Sequence, residues 1–85
     1  MTYSVLLAHP AERQLRSFPS VIQKRLVKRM KALQNDPRPT GVKKLAGKDD
    51  LYRIREGDYR IVYTIQDREL VILILKIGDR KEVYR

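Results

Sequence analysis

Cationic side chains recur in the second half of the chain, within and just after segments that are expected to form strands. The set consists of Arg53, Arg55, Arg60, Arg80 and Lys81, with Tyr84 close behind them. Several cations on a small area repel one another, so their convergence calls for an anion that offsets the repulsion. The planar fork of arginine matches phosphate oxygens with two hydrogen bonds. As a group these residues predict a phosphate-binding surface, although any single arginine could be a solvated residue that pairs with a nearby acid such as Glu56.

The residue types of the chain exclude several kinds of active site. One histidine and no cysteine leave no Cys/His or Ser/His/Asp set and no multi-histidine metal site, and there is no glycine-rich phosphate loop. RNA, however, carries its own nucleophile, the 2′-hydroxyl beside each phosphate. A protein that aligns this hydroxyl and neutralises the developing charge can cleave RNA without a metal or a cofactor. Tyr84 could stack on an unpaired base and hold it in line for the reaction.

Length and charge fit a small protein that binds a polyanion. The 85 residues suffice for one domain, residues 1–85, and the net charge of +9 predicts fast, salt-sensitive association with nucleic acid. The longest apolar run, residues 70–75, is too short to cross a membrane, and the N-terminus does not resemble a secretion signal. We therefore expect a cytoplasmic protein without a membrane partner, and the lack of cysteine is consistent with a reducing compartment.

The first half of the chain predicts two helices. Ala11, Leu15 and Phe18 recur at helical spacing between Pro10, which suits a first helical turn, and Pro19, which ends the helix. In the second helix Ser20 is the expected N-cap. An apolar stripe follows at spacings of four, four and three, with lysines and arginines on the other faces: Ile22, Leu26, Met30 and Leu33. The basic faces could be a solvated surface or could grip RNA.

The remaining segments predict strands around a connecting loop. Alternation or continuous apolar character favours strands over residues 2–7, 51–55, 59–66 and 70–75, with a short last strand over 82–84. Residues 38–50 form the expected loop, with Leu45 as its anchor in the core, and residues 78–80 are expected to break the strand pattern. The predicted fold is an α+β sandwich: an N-terminal strand, a helical hairpin, then an antiparallel β-meander of three to four strands with the hairpin on one face. The position of the first strand in the sheet stays open.

The sequence also resembles a known family. The block formed by residues 51–63, preceded by residues 44–47 and followed by residues 78–84, resembles the RelE/ParE toxin superfamily, and most of all its RelE branch. The likeness extends over essentially the whole chain. It implies a RelE-like microbial RNase fold and the toxin of a bacterial type II toxin–antitoxin system. Such a toxin has a cognate antitoxin as its partner, enters the ribosomal A site and cleaves messenger RNA there, leaving a 2′,3′-cyclic phosphate and a 5′-hydroxyl.

The resemblance also implies roles for individual residues. Arg60 would stabilise the transition state, Arg80 would protonate or stabilise the leaving group, and Tyr84 would stack on the messenger nucleotide. Arg53, Arg55 and Lys81 would bind RNA phosphate. We expect Arg60 and Arg80 to lie outside the core, so that their replacement should abolish toxicity while the fold survives.

Three departures from the family pattern matter for mechanism. Arg53 and Arg55 stand where some relatives carry lysines, and arginine is a poor proton acceptor, so the general base stays open between Lys81 and water. Asp79 stands where many relatives have histidine, and it could orient Arg80 or lower the potential of the site. If the chain ends at Arg85, no C-terminal helix covers the site, and we expect an antitoxin to mask or displace residues 80–84 directly.

Two other functions remain open at this point. A ParE-like toxin with the same fold would inhibit DNA gyrase and cleave no RNA. A non-catalytic RNA-binding module would use the arginines only to hold phosphate. In either toxin, apolar grooves beside the helical hairpin are where we expect an extended antitoxin to dock.

Overall fold

The computed structural model describes residues 2–45 and 51–79. The predictions for Arg80, Lys81 and Tyr84, and for a short strand over residues 82–84, therefore lie outside the described residues. The elements are β1 (Ser4–Leu7), α1 (His9–Ser17), α2 (Ser20–Ala32), β2 (Lys43–Lys44), β3 (Leu51–Glu56), β4 (Tyr59–Gln66) and β5 (Val71–Asp79).

The strands form one mixed sheet in the order β1-β5-β4-β3-β2. Strands β2 to β5 pair antiparallel with their neighbours, whereas β1 pairs parallel with β5. The predicted α+β fold is confirmed: an N-terminal strand and a helical hairpin precede an antiparallel meander. The pairing also fixes the place of β1, which lies at one edge of the sheet, and adds β2 at the other edge.

Pro10 and Pro19 set the boundaries of the two helices. Pro10 lies in the first turn of α1. Phe18, which follows the last residue of this helix, has an extended backbone. The prediction of Ser20 as the N-cap of α2 is wrong by one residue. Pro19 is the N-cap, because its carbonyl already accepts a hydrogen bond from the Gln23 amide at 3.0 Å and closes the first turn. The Gln23 side chain donates to the Phe18 carbonyl at 2.7 Å and joins the two helices.

The apolar core lies between the helical hairpin and one face of the sheet. The α2 stripe is confirmed, because Leu26, Met30 and Leu33 are buried and Ile22 is half-buried against them. The strand residues of this cluster alternate along β3, β4 and β5 and share one face: Ile54, Ile61, Tyr63, Ile65, Ile72, Ile74 and Ile77. The described helices lie only on this face; we call the other, helix-free face the open face.

Strand β5 differs from the prediction in length and in cover. It continues through Gly78 and Asp79, because both residues still pair with β4, so residues 78–79 do not break the strand. The continuous apolar run over residues 70–75 is typical of a strand covered on both faces, and this prediction is also wrong. Its helix-facing side chains are buried, whereas Val71, Leu73 and Leu75 are half-buried on the open face.

The predicted loop over residues 38–50 contains the short edge strand β2. Lys43 pairs with Arg53, and the Leu45 amide donates to the Leu51 carbonyl at 2.9 Å. Because this pairing continues past β2, Leu45 does not anchor the loop in the core. It lies beside Leu51 on the open face, half-buried.

A polar network joins the N-terminus, the segment after α2 and the β4–β5 turn. Asp67 accepts hydrogen bonds from the Tyr3 hydroxyl at 2.7 Å and from Arg38 Nη2 at 3.0 Å. The Arg38 guanidinium also lies over the Tyr52 ring, 5.4 Å from its centroid. The hydrogen bond from Arg38 and, to a smaller extent, the one from Tyr3 hold the pKa of the Asp67 carboxyl below its usual value.

Replacement of Asp67 by Asn should make the stability of the fold less dependent on pH in the acid range. Because the pKa of Asp67 is lowered in the folded state, its charge stabilises the fold above the unfolded pKa of about 4, and this contribution is lost as the pH falls. Asp67→Asn should therefore melt at a lower temperature than the wild type at pH 7, and the difference should shrink at pH 3. Thermal melts across this range test the expectation, and an equal difference at both pH values contradicts it.

Truncation of apolar side chains should cost more stability on the helix-covered face of the sheet than on the open face. Leu26→Ala and Ile61→Ala remove fully buried side chains and should each cost about 2–5 kcal/mol. Leu73→Ala on the open face should cost less. Val21→Ala is the control, since Val21 is 67% exposed and such changes usually cost under about 0.5 kcal/mol. Urea denaturation measures all four, and an equal loss for Leu73→Ala would mean that the open face is packed as well.

Candidate phosphate-binding site

The β3–β4 hairpin brings two arginines directly opposite each other. Arg55 pairs with Arg60 across the strands, and Arg53, two residues earlier on β3, pairs with Val62. Directly paired residues point to the same face of a sheet. The three arginines therefore share the open face, as the alternation of β3 and β4 predicts.

The three arginines differ in exposure. Arg55 is exposed and Arg53 is half-buried, whereas Arg60 retains only 2% of its surface exposed. The expectation that Arg60 lies outside the buried part of the protein is therefore wrong. The physical reason is position: Arg60 lies on β4, the central strand of the sheet, between Arg55 on β3 and Gly78 on β5. A buried guanidinium acts on nearby charge through a medium less polarisable than water, which strengthens its electrostatic effect.

Two lysines that the sequence analysis did not single out also lie on this face. Lys43 on β2 pairs with Arg53, and Lys76 on β5 pairs with Val62. Together they form one row across four strands, which we call the lysine row: Lys43, Arg53, Val62 and Lys76. Both lysines are exposed.

The face taken by Lys76 depends on a β-bulge. The register shifts between Val62 and Tyr63, which pair with Lys76 and Ile74. Counted by alternation from Ile74, Lys76 would point to the helices. The extra residue, Leu75, reverses the alternation, so that Lys76 reaches the open face and Ile77 enters the core. A bulge is set by pairing rather than by local pattern, which is why sequence reasoning missed Lys76.

Strand β3 is held to α2 by an ion-pair cluster on the helix side. Glu56 lies 3.4 Å from Arg25 Nη2 and 3.9 Å from Arg29 Nε. This carboxylate thus pairs with helix arginines rather than with the arginines of the open face. The basic surface of α2 is therefore divided, since Arg25 and Arg29 contact Glu56 while Lys24, Lys28 and Lys31 are exposed on the helix.

The described part of the site has the side chains to bind an anion. Within residues 2–45 and 51–79, no three His, Asp or Glu side chains lie close enough together to hold a metal ion. In the same part of the chain, no helix combines the length and apolar character needed to span a membrane. The surface can offer several phosphate-binding cations on a rigid sheet, while Arg80, Lys81 and Tyr84 lie outside the described residues.

Comparison with known proteins agrees with this fold. Residues 5–84 match the family model described as the ParE toxin of type II toxin–antitoxin system, parDE. The chain is 31% identical over 88 residues to the mRNA interferase toxin RelE of Escherichia coli, covering 99% of this chain and 92% of the relative. It is 30% identical over 89 residues to toxin RelG of Mycobacterium tuberculosis, covering 100% of this chain and 99% of the relative.

A solved structure shows the same architecture. A chain of the archaeal RelE–RelB complex from Pyrococcus horikoshii superimposes with a TM-score of 0.83 at 36% identity, covering 96% of this chain and 99% of that chain. The fold, the sequence match and the relatives agree: the chain belongs to the RelE/ParE superfamily of toxins from type II toxin–antitoxin systems. The resemblance read from the sequence is confirmed.

Gly57→Ala should loosen the hairpin that carries Arg55 and Arg60. Gly57 has φ +60°, and an added Cβ would lie 2.7 Å from Arg25 Nη2. The left-handed conformation costs a non-glycine residue about 1–2 kcal/mol, and displacement of Arg25 adds the loss of its contact with Glu56. Urea denaturation should show a loss of at least about 1 kcal/mol. Arg25→Ala in the same chain removes the clash, so the double variant should lose less than the two single losses combined. Strictly additive losses would contradict this account.

Proposed function

We propose that this toxin is a ribosome-dependent, metal-independent endoribonuclease that cleaves messenger RNA in the ribosomal A site and so inhibits translation in the cytoplasm. The observation that carries the proposal is the direct pairing of Arg55 with Arg60 on the open face. The naming of the E. coli relative as an mRNA interferase supports it.

The proposed reaction needs no group outside the RNA and the protein. The 2′-oxygen attacks the adjacent phosphorus, and the P–O5′ bond breaks. The products are a 2′,3′-cyclic phosphate and a 5′-hydroxyl. The 2′-hydroxyl proton leaves to a base, and the 5′-oxygen gains a proton, so atoms and charge balance. The pentacovalent phosphorane between these steps carries extra negative charge, which nearby guanidinium groups stabilise.

Each site residue has a role in this proposal. Arg60 stabilises the phosphorane from a buried position, and exposed Arg55, with Arg53 beside it, binds the incoming phosphate first. Arg80 serves the leaving oxygen, Lys81 contacts phosphate, and Tyr84 stacks on a base to hold the in-line geometry. Because arginine is a poor proton acceptor, the base is Lys81 or a water molecule.

A cognate antitoxin is the proposed protein partner. The neighbouring solved structures include RelE–RelB complexes from Pyrococcus horikoshii and Escherichia coli. By likeness, we propose that this chain is held inactive by an antitoxin that masks the site.

Inhibition of DNA gyrase is a second candidate function. The family model that matches residues 5–84 is named for the ParE toxin, and a ParE-like protein needs no nuclease site. On this alternative the open-face arginines would bind a protein or DNA surface.

Primer extension on transcripts after induced expression should show cuts within translated codons. Arg55→Ala and Arg60→Lys should each reduce cleavage by about 100-fold or more, the usual effect of removing one group that stabilises an oxyanion. We choose lysine and not alanine to replace Arg60, because this side chain is buried and alanine would leave a cavity. Arg68→Ala, an exposed change in the β4–β5 turn, is the control and should leave cleavage unchanged.

The same experiment separates the candidates. Intact transcripts together with blocked DNA replication would establish the gyrase inhibitor instead. Full cleavage by both arginine variants, with unchanged thermal melts, would show that the open face is not the nuclease site.

A further inference from the structure

We propose that Lys43 and Lys76 bind RNA phosphates on either side of the arginines, so that the RNA strand runs across the strands of the sheet along the lysine row. This inference rests on the proposed nuclease function and deepens it, because it assigns two binding residues and a direction for the substrate. The proposed ligand is single-stranded RNA.

The geometry of the row fits more than one phosphate. Lys43 lies on β2 and Lys76 on β5, with β3 and β4 between them. Three strand spacings separate the two backbones by roughly 14 Å. Side chains stand about perpendicular to a sheet, so the two ammonium groups project in parallel and engage different phosphates. Arg55 and Arg60 form the neighbouring row and face the phosphate between them.

The electrostatics of the row favour a polyanion. Lys43 is placed directly opposite Arg53, beside the second like-charged pair, Arg55 and Arg60. A nucleic-acid backbone binds favourably to such a surface, because each phosphate that a lysine or arginine neutralises releases condensed counterions. The bulge that turns Lys76 from the helices to this face adds one more cation to the same surface.

An apolar cavity beside Lys76 can receive a base. It has a volume of about 240 Å³ and is lined by Leu45, Leu51, Val62, Leu75 and Lys76. A lysine at the rim of an apolar cavity suits a nucleotide, whose phosphate is charged and whose base has apolar faces. The cavity therefore lies where the nucleotide held by Lys76 would place its base.

Salt-dependent RNA binding tests the proposal. The probe is a short single-stranded RNA with 2′-O-methyl groups, which block cleavage, and binding to the purified toxin is followed by fluorescence anisotropy from low to moderate salt. Each phosphate contact contributes about 0.7 to the slope of log affinity against log salt for a single strand. Lys43→Ala and Lys76→Ala should each lower this slope by about 0.7, and the double variant by about 1.4.

Two matched variants serve as controls. Lys44→Ala removes the same charge from the same strand, but Lys44 pairs with Tyr52 on the opposite face. Arg68→Ala removes an exposed charge in the β4–β5 turn. Both should keep the wild-type slope, and all four altered lysines and arginines are exposed, so thermal melts should match the wild type.

The outcomes separate this inference from the proposed function. A wild-type slope in the Lys43/Lys76 double variant, with a reduced slope in Arg55→Ala, overturns the row and leaves the nuclease site standing; the row would then serve a protein partner. Equal losses in the controls also overturn it, because the effect would be one of net charge. No RNA binding by the wild type, or no effect of Arg55→Ala either, would count against both proposals.

Discussion

Arg55 and Arg60 are held directly opposite each other by the β3–β4 pairing, on the face of the sheet that the described helices leave open. Arg55 is exposed, whereas Arg60 is almost fully buried. On the proposed function, an RNA phosphate binds between these two side chains. The remainder of the structure serves to keep this register: the core fixes the helix side of the sheet, and Glu56 ties the end of β3 to α2.

The division of the sheet into two faces explains how so small a domain supports a site. Helices α1 and α2 bury one face, and the isoleucines of β4 and β5 are the largest group of buried strand residues there. A sheet covered on one side is stable as long as that side is well packed. The open face is then available for charge, and the bulge between Val62 and Tyr63 adds Lys76 to it without disturbing Ile77 in the core.

Local pattern was sufficient for the two helices and the longer strands, but not for the register or for the short edge strand β2. Alternation in β3 and β4 correctly placed Arg53, Arg55 and Arg60 on one face, because these strands pair without interruption. It could not reveal that Arg60 is buried, since burial depends on the neighbouring strand. Nor could it place Lys76, because the bulge reverses the alternation of β5. The edge strand β2 has two residues, too few to show a period, so Lys43 was read as part of a loop.

The most direct test of shared phosphate binding is a nuclear magnetic resonance titration of the arginine side-chain Nε–H groups with a 2′-O-methylated dinucleotide. Arg55 and Arg60 should shift together with a single dissociation constant, while Arg25, which contacts Glu56 on the opposite side of the sheet, should not move. Shifts confined to α2, or separate dissociation constants for Arg55 and Arg60, would contradict a common phosphate between them.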